Sequence, residues 1–333
     1  MSLCHFSCSA AGGEPEAGRR LSPAERQAGR FAIANERLNA VLMVPDQPSS
    51  PYAGPRYESG GVVMQVTLDG EHTFLGEEGR GDRLGGYGLI EEMGISEAIG
   101  YEQAQPGEPF LKLGVGLVTR GKREKYLFYE ALPVAQRFPW DVRVGPRWAT
   151  FVQAGKPFRG IAYRYRKRVV IDEQQPLLRI EHRLTNTGTK RIATDQYCHN
   201  YLRFDDAPPG PGYRIEFPFP LVAEGEAKRP MVVEGGTISF AAELEGAAYC
   251  RFQGQRPSAR GHRFLVRHAG NGLSLEVGGD FPIAYLACYA DDRAVSPEAF
   301  CAIDVEPGES FRWTRIYAFQ GAGPPPRRPE GGP

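Results

Sequence analysis

The sequence contains LLRIEHRL at residues 177–184, then the turn-forming stretch TNTGTK, then RIAT and DQYCHNYLRFD up to residue 205. Apolar and charged residues nearly alternate in the first segment, a pattern typical of a half-buried β-strand. A second strand leads into His199, which lies between two tyrosines, next to an asparagine and ahead of two aspartates. Because an imidazole has an unperturbed pKa of about 6.5, His199 is a candidate for proton transfer near neutral pH.

The composition of the whole chain indicates a β protein. Its 333 residues include 41 glycines and 28 prolines, and 11% of the residues are aromatic. Many turns between many short strands account for this composition better than long helices do. Strand-like segments follow one another at intervals of about ten residues, with no internal repeat. The sequence therefore predicts an all-β fold, a large antiparallel β-sandwich.

The predicted domain organisation has three parts. Residues 1–20 are small, polar and rich in glycine, so we expect them to be disordered. Residues 21–320 carry the strand-like segments and form a single predicted β-sandwich domain. Residues 321–333 are a Pro- and Gly-rich tail, which we also expect to be disordered.

Charge and hydropathy predict no nucleic-acid and no membrane partner. Lysine plus arginine and aspartate plus glutamate number 40 each, so no net field attracts a polyanion or an anionic bilayer. The basic run YRYRKR at residues 163–168 is interpreted as the polar face of a strand whose tyrosines point inward. No apolar run approaches the length of a membrane span, and the first residues lack a secretory signal. These features predict a cytoplasmic protein.

The six cysteines predict neither a metal site nor a disulfide framework. The CHFSC stretch at residues 4–8 is a weak metal-binding signal inside a segment expected to be disordered. Cys198, Cys250, Cys288 and Cys301 lack paired zinc-ligand spacing. We expect them to be small buried apolar residues of a reducing compartment, and we expect no metal.

A strand ending in LTNTG at residues 184–188, followed after about ten residues by His-Asn-Tyr, resembles the galactose mutarotase-like (aldose 1-epimerase) superfamily. The resemblance runs, with gaps, from about Phe31 to Phe319. It implies the supersandwich fold, with residues 21–320 as a sugar-binding and catalytic domain. In that family a histidine at the place of His199 protonates the ring oxygen of a sugar, and a carboxylate near the C-terminus accepts the proton of the anomeric hydroxyl. The implied partner is a monosaccharide or short glycan, bound by a monomer or homodimer without a cofactor or metal.

The candidate for the base is Glu298. A strand at residues 296–305, a Pro-Gly-Glu turn and an aromatic-rich strand at residues 311–319 resemble the C-terminal hairpin of the superfamily. In the hexose-6-phosphate branch the catalytic glutamate lies shortly before that turn, where Glu298 stands. In the galactose branch it lies further upstream, near Cys288, where this chain has no glutamate. The alternative is that Glu298 is an ordinary loop residue after a proline.

Three further residues are candidates for substrate binding. Related sequences carry an arginine at the position of Arg56, where it binds substrate hydroxyls or a phosphate. The alternative for Arg56 is a surface ion pair with Glu58. Glu91 and Glu92 stand in a region where mutarotases usually supply another histidine. Either carboxylate would accept hydrogen bonds from sugar hydroxyls, or both are solvated loop charges.

Residues near His199 and one tryptophan complete the predicted site. Asn200 is a candidate substrate ligand, and Asp205 is a candidate for orienting the site or binding a hydroxyl. Trp140 either stacks on a sugar ring or belongs to the core. His182, on the strand before the turn, is interpreted as a surface histidine or one with satisfied hydrogen bonds.

Two other functions remain open at this point. A glycoside hydrolase or lyase would need two acidic residues facing one cleft, and the chain has enough of them. A non-catalytic carbohydrate-binding protein would use aromatic residues such as Trp140 in the same groove and would not need His199.

Overall fold

The structure, a computed structural model, describes residues 18–77, 83–96, 98–253 and 262–322. One short α-helix, α1 (Pro23–Ala28), begins at the N-cap Ser22, whose side chain forms a reciprocal capping box with Glu25. A 3₁₀ turn spans Phe204–Asp206. All other regular structure in the described part of the chain is β-strand.

The strands, in chain order, are β1 (Arg30–Ala34), β2 (Leu38–Met43), β3 (Val63–Leu68), β4 (His72–Thr73), β5 (Leu89–Met93), β6 (Pro109–Lys112), β7 (Gly116–Thr119), β8 (Val134–Arg137), β9 (Trp140–Val144), β10 (Trp148–Phe158), β11 (Ile161–Ile171), β12 (Leu177–Asn186), β13 (Ile192–Asn200), β14 (Tyr213–Glu216), β15 (Met231–Glu234), β16 (Thr237–Phe240), β17 (Ala248–Phe252), β18 (His262–His268), β19 (Ser274–Gly279), β20 (Ile283–Ala290), β21 (Val295–Val305) and β22 (Ser310–Gln320).

Two large antiparallel sheets form the sandwich. Sheet I has the order β1-β2-β3-β5-β13-β21-β20-β17, with β4 paired to β3. Sheet II has the order β15-β16-β14-β18-β19-β22-β12-β11-β10-β9. A small third sheet consists of β6, β7 and β8. The main hydrophobic core takes side chains from both large sheets and extends from Leu21 to Phe319. The predicted all-β antiparallel sandwich is confirmed.

The consecutive strands β12 and β13 lie in different sheets. In β12, residues 178, 180, 182 and 184 are buried, and residues 179, 181 and 183 are more exposed. This alternation follows from the period of two along a strand, which directs one face to the core. After the turn, the chain crosses to β13 in the centre of sheet I, between β5 and β21.

The two faces of β13 meet different surroundings. Cys198 belongs to the main core, and Gln196 accepts a hydrogen bond of 3.1 Å from Trp313 of sheet II. The alternate residues Tyr197, His199 and Tyr201 therefore point away from the core, to the outer face of sheet I. This outer face carries the candidate site.

The basic run of β11 has the predicted orientation. Tyr163 and Tyr165 are buried in the core, and Arg164 is exposed. Lys167 follows Tyr165 at a spacing of two, so its side chain points to the same face of β11, and it is also buried.

The chain ends are only partly described. Residues 1–17 and 323–333 of the predicted disordered segments lie outside the described residues, as does the CHFSC stretch. Arg19 forms an isolated antiparallel bridge with Val144, so regular structure is present just before residue 21. No helix within the described ranges is long and apolar enough to cross a membrane.

Candidate active site

His199 and Glu298 meet on the outer face of sheet I. Antiparallel pairing of β13 with β21 sets Ile192 opposite Val305 and Gln196 opposite Cys301. Continued in the same register, this pairing places His199 opposite Glu298. The structure brings His199 Nε2 to 3.5 Å from Glu298 Oε1. Two residues about a hundred positions apart in the chain thus become neighbours because their strands are adjacent.

A chain of hydrogen bonds fixes the position of Glu298. Ser296 Oγ donates a bond of 3.2 Å to Glu298 Oε1, and the backbone N–H of Asn200 donates a bond of 3.0 Å to Ser296 Oγ. The side-chain amide of Asn200 donates to Pro297 O, and its oxygen accepts from the hydroxyl of Tyr317. The structure thus places Asn200 as a buried support for β21, with its side chain held by the protein.

Aromatic rings hold the imidazole of His199. Tyr201 stacks on it with ring centroids 4.1 Å apart and an interplanar angle of 3°. Tyr57 and Tyr289 present ring edges at 6.1 and 5.4 Å. The backbone of Gly86 lies so close to Tyr201 that a Cβ there would be 2.2 Å from the tyrosine ring. These contacts leave the imidazole little rotational freedom.

Burial changes the protonation of both members of the pair. His199 and Glu298 are each 4% exposed. Desolvation, with a smaller contribution from the charge of Arg56, lowers the pKa of His199 well below its usual value. Desolvation raises the pKa of Glu298 to about 8, opposed by Arg56 and by the bond from Ser296. At pH 7 the imidazole of His199 is therefore neutral and the carboxyl group of Glu298 is protonated. The pair holds one titratable proton, on the carboxyl group, and the contact joins two neutral groups.

Arg56 and Glu92 form a second cluster on the same face. Arg56 Nε lies 3.0 Å from Glu92 Oε2, and Arg56 Nη2 donates a bond of 2.9 Å to the hydroxyl of Tyr197. That hydroxyl donates to Glu92 Oε2, and Lys112 Nζ lies 2.8 Å from Glu92 Oε1. The carboxylate partner of Arg56 is thus Glu92, and the alternative pair with Glu58 is wrong. The side chain of Arg56 remains 18% exposed.

Glu91 points to the opposite face of β5. Its carboxylate lies inside the sandwich, 3.1 Å from Arg315, 2.7 Å from Lys167 and 3.2 Å from His182. Glu91 and Glu92 are 1% and 0% exposed within a strand, so neither is a solvated loop charge. Of the two predicted carboxylates, only Glu92 shares a face with His199. His182 is buried, which excludes its interpretation as a surface residue.

The structure places Asp205 and Trp140 apart from the pair. The carboxylate of Asp205 contacts His72 Nδ1 at 2.8 Å and accepts a bond of 2.8 Å from the backbone N–H of Thr73. Trp140 is buried in the main core, with its ring centroid 5.7 Å from that of Tyr165. The interpretation of Trp140 as a core residue agrees with this position.

Several residues of the site had not been predicted. Tyr197 and Tyr201 could have been predicted from the sequence, because they flank His199 at a spacing of two and their side chains must share its face in a strand. Lys112 could not, since it reaches the site only through the folding of a distant segment.

Comparisons with known proteins agree with this architecture. No protein-family model matches the sequence, and no curated protein matches it. The chain has the galactose mutarotase-like β-sandwich fold, as matches to solved structures show.

Three of the matching structures indicate the degree of similarity. A galactose mutarotase related enzyme from Lactobacillus acidophilus is 10% identical with a TM-score of 0.53, and 88% of this chain and 98% of that chain are covered. A galactose mutarotase-like protein from Clostridium acetobutylicum is 10% identical with a TM-score of 0.54, covering 88% and 94%. Galactose 1-epimerase from Lactobacillus acidophilus NCFM is 13% identical with a TM-score of 0.52, covering 88% and 95%.

Proposed function

We propose that the protein is an aldose 1-epimerase-like enzyme that interconverts the anomers of a hexose or a modified sugar. The observation that carries the proposal is the contact of 3.5 Å between His199 Nε2 and Glu298 Oε1. One imidazole and one carboxyl group, holding a single proton between them, are the acid and base that the reaction needs. The fold shared with a galactose 1-epimerase supports the same conclusion.

The reaction requires two proton transfers at oxygens that share one carbon. A base removes the proton of the anomeric hydroxyl while an acid protonates the ring oxygen, and the C1–O5 bond breaks. Rotation about C1–C2 and closure on the other face of the aldehyde complete the exchange. Each transfer contributes roughly 10²–10⁴-fold when a positioned side chain performs it. Because both oxygens are bonded to C1, two neighbouring groups can serve them.

The proton balance of the pair allows the reaction in both directions. From the resting state, protonated Glu298 donates to the ring oxygen while neutral His199 accepts the hydroxyl proton. Ring closure then returns both protons. After ring opening the pair consists of an imidazolium and a carboxylate. The roles at the two oxygens are therefore exchanged relative to those that the family resemblance implies, in which the histidine protonates the ring oxygen. The pair therefore needs one proton in total and no external acid or base.

Arg56 is proposed to bind the substrate. Its guanidinium is held by Glu92 and Tyr197, yet it remains partly exposed. Its charge lies near enough to His199 to lower the pKa of that imidazole. An arginine fixed in this way presents donors to sugar hydroxyls at little further cost in side-chain entropy.

Access to the pair requires a local movement. His199 and Glu298 are nearly covered, and the ring of Phe128 lies over the guanidinium of Arg56 at 4.7 Å. Phe128 belongs to the connection between β7 and β8. We propose that this connection moves to admit the sugar, since connections outside the sheets open more easily than the sheet beneath them.

A panel of α-aldoses, free and phosphorylated, tests the proposed function. We expect the purified protein to accelerate the approach to anomeric equilibrium of at least one member, followed by polarimetry or by an anomer-specific dehydrogenase. Protein carrying Glu298→Gln, prepared identically, is the control for mutarotases of the expression host. No acceleration with any aldose, together with tight binding of a glycan, would instead support a binding protein. Release of reducing ends from an oligosaccharide would instead support a glycoside hydrolase.

A further inference from the structure

The outer face of sheet I continues beyond the pair to an edge strand with exposed aromatic and charged residues. Strand β17 lies at the edge of sheet I, next to β20. Its residues alternate between buried and exposed, and Tyr249 and Arg251 are the exposed ones. Tyr249 is 49% exposed. A large aromatic side chain so open to solvent contrasts with the buried tyrosines around His199.

Cross-strand pairing connects Tyr249 to the candidate site. Tyr249 is directly opposite Tyr289 in the register of β17 with β20, and Tyr289 presents its ring edge to His199 at 5.4 Å. Directly opposite residues share a face of the sheet, with Cβ atoms roughly 4.5–5.5 Å apart. Burial, and then the charge of Glu298, raises the pKa of Tyr249 to about 12, which agrees with a position near that carboxyl. Thus His199, Tyr289 and Tyr249 form a row on the outer face of sheet I, from the candidate site to strand β17.

A second row runs beside the first. Phe300 of β21 and Tyr285 of β20 stack with centroids 3.9 Å apart. The guanidinium of Arg251 lies 4.0 Å from the ring centre of Tyr285, and Glu224 lies 3.1 Å from Arg251. The side chains of Arg251 and Glu224 are 45% and 41% exposed. Aromatic faces and charged hydrogen-bonding groups therefore stand together next to the pair.

We propose that Tyr249, Tyr289 and Arg251 form a second sugar subsite, and that the protein acts best on the reducing-end sugar of an oligosaccharide. This inference rests on the proposed function. A pyranose ring has an apolar C–H face that packs on an aromatic ring, and hydroxyls at its rim that bind polar groups. Tyr249 supplies a ring that is exposed to solvent, and Arg251 and the hydroxyl of Tyr249 supply the polar partners, whereas the hydroxyl of Tyr289 donates to Asp291 Oδ2 at 3.0 Å. The occupant is a sugar joined by a glycosidic bond to the sugar at His199.

Glucose, cellobiose and maltose are the probes, because all three present a glucose unit at the reducing end. The wild-type protein is expected to have a higher kcat/KM for at least one disaccharide than for glucose. Tyr249→Ala is expected to lower kcat/KM for that disaccharide by about two- to tenfold, the range typical of one aromatic contact. The same change is expected to leave glucose unaffected. The matched control Tyr249→Phe keeps the ring and is expected to retain most of the disaccharide preference.

A binding measurement separates this inference from the proposed function. Titration calorimetry of cellobiose and maltose with wild-type and Tyr249→Ala protein reports the subsite without any turnover. Disaccharide binding that depends on Tyr249, in a protein that anomerises no sugar, would support the subsite and overturn the proposed function. Anomerisation of glucose and disaccharides at equal rates, unchanged in Tyr249→Ala, would overturn the subsite alone.

The exposed ring of Tyr249 suggests one competing occupant, a second copy of the chain that packs on this face. Light scattering after gel filtration, with wild-type and Tyr249→Ala protein, tests it. A wild-type dimer that dissociates in Tyr249→Ala, with disaccharide binding unchanged, would overturn the subsite. The same mass for both proteins, with disaccharide binding lost in Tyr249→Ala, would support it.

Discussion

The variant His199→Asn is expected to lower the rate of anomer interconversion by about 10²–10⁴-fold, the usual contribution of one positioned proton-transfer group. Asparagine keeps a planar polar group in place of the imidazole, although a smaller one, and it does not exchange protons near neutral pH. The stacking partner Tyr201 and the cage formed with Tyr57 and Tyr289 remain in place. The measurement is kcat on the best aldose of the panel, with the thermal midpoint determined alongside.

The matched control for this variant is His72→Asn. His72 also contacts a carboxylate, since its Nδ1 lies 2.8 Å from Asp205 Oδ2, but it does so on β4, at the exposed edge of the sandwich. Its replacement is expected to leave kcat unchanged. If His199→Asn retained full activity with a wild-type thermal midpoint, His199 would not be part of the catalytic pair.

The largest expected effect on stability comes from Glu91→Ala. Inside the sandwich, the carboxylate of Glu91 lies within 3.2 Å of three groups, on Lys167, His182 and Arg315. The cations Lys167 and Arg315 are almost fully buried, and Lys167 also contacts Glu58 at 2.8 Å. Removing Glu91 leaves a buried positive charge without compensation. Loss of one partner of a buried pair costs roughly 3–5 kcal/mol in the free energy of unfolding.

Denaturation in urea measures this loss, and Asp69→Asn is the control. Asp69 pairs with Arg37 at 2.7 Å, but both side chains are nearly half exposed, so screening by water reduces the expected cost to below about 1 kcal/mol. Equal destabilisation by the two variants would mean that the buried network does not hold the two sheets together.

The β architecture was predictable because it depends on local patterns. The alternation in β12 gives one buried face whatever its partners are, and the inward tyrosines of β11 follow the same rule. Lys167 follows those tyrosines at the same spacing of two, so the same rule predicts its burial. Its partners Glu58 and Glu91 could not be predicted, since they come from strands and loops that approach only in the folded chain.

The candidate site was predictable only in part. The proximity of His199 and Glu298 depends on β13 lying next to β21, which no local pattern encodes; the family resemblance supplied it. The two glutamates of β5 illustrate the opposite case. One interpretation of the sequence treated both as loop charges, because two adjacent glutamates break the alternation of apolar and polar residues that predicts a strand; in the structure all five residues of β5 are buried. Once β5 is known to be a strand, Glu91 and Glu92 must point to opposite faces.

The pH dependence of kcat in the wild-type protein tests the central claim, a single proton shared by His199 and Glu298, most directly. Glu298 has a raised pKa of about 8, so it keeps its proton at neutral pH and loses it as the pH rises through that value. The pKa of His199 lies well below 6.5, so the imidazole stays neutral as the pH falls through 6.5. We predict a rate that is level from neutral pH to below 6.5 and falls above about 8. A rate that changes through 6.5 and stays level through 8 would contradict the account.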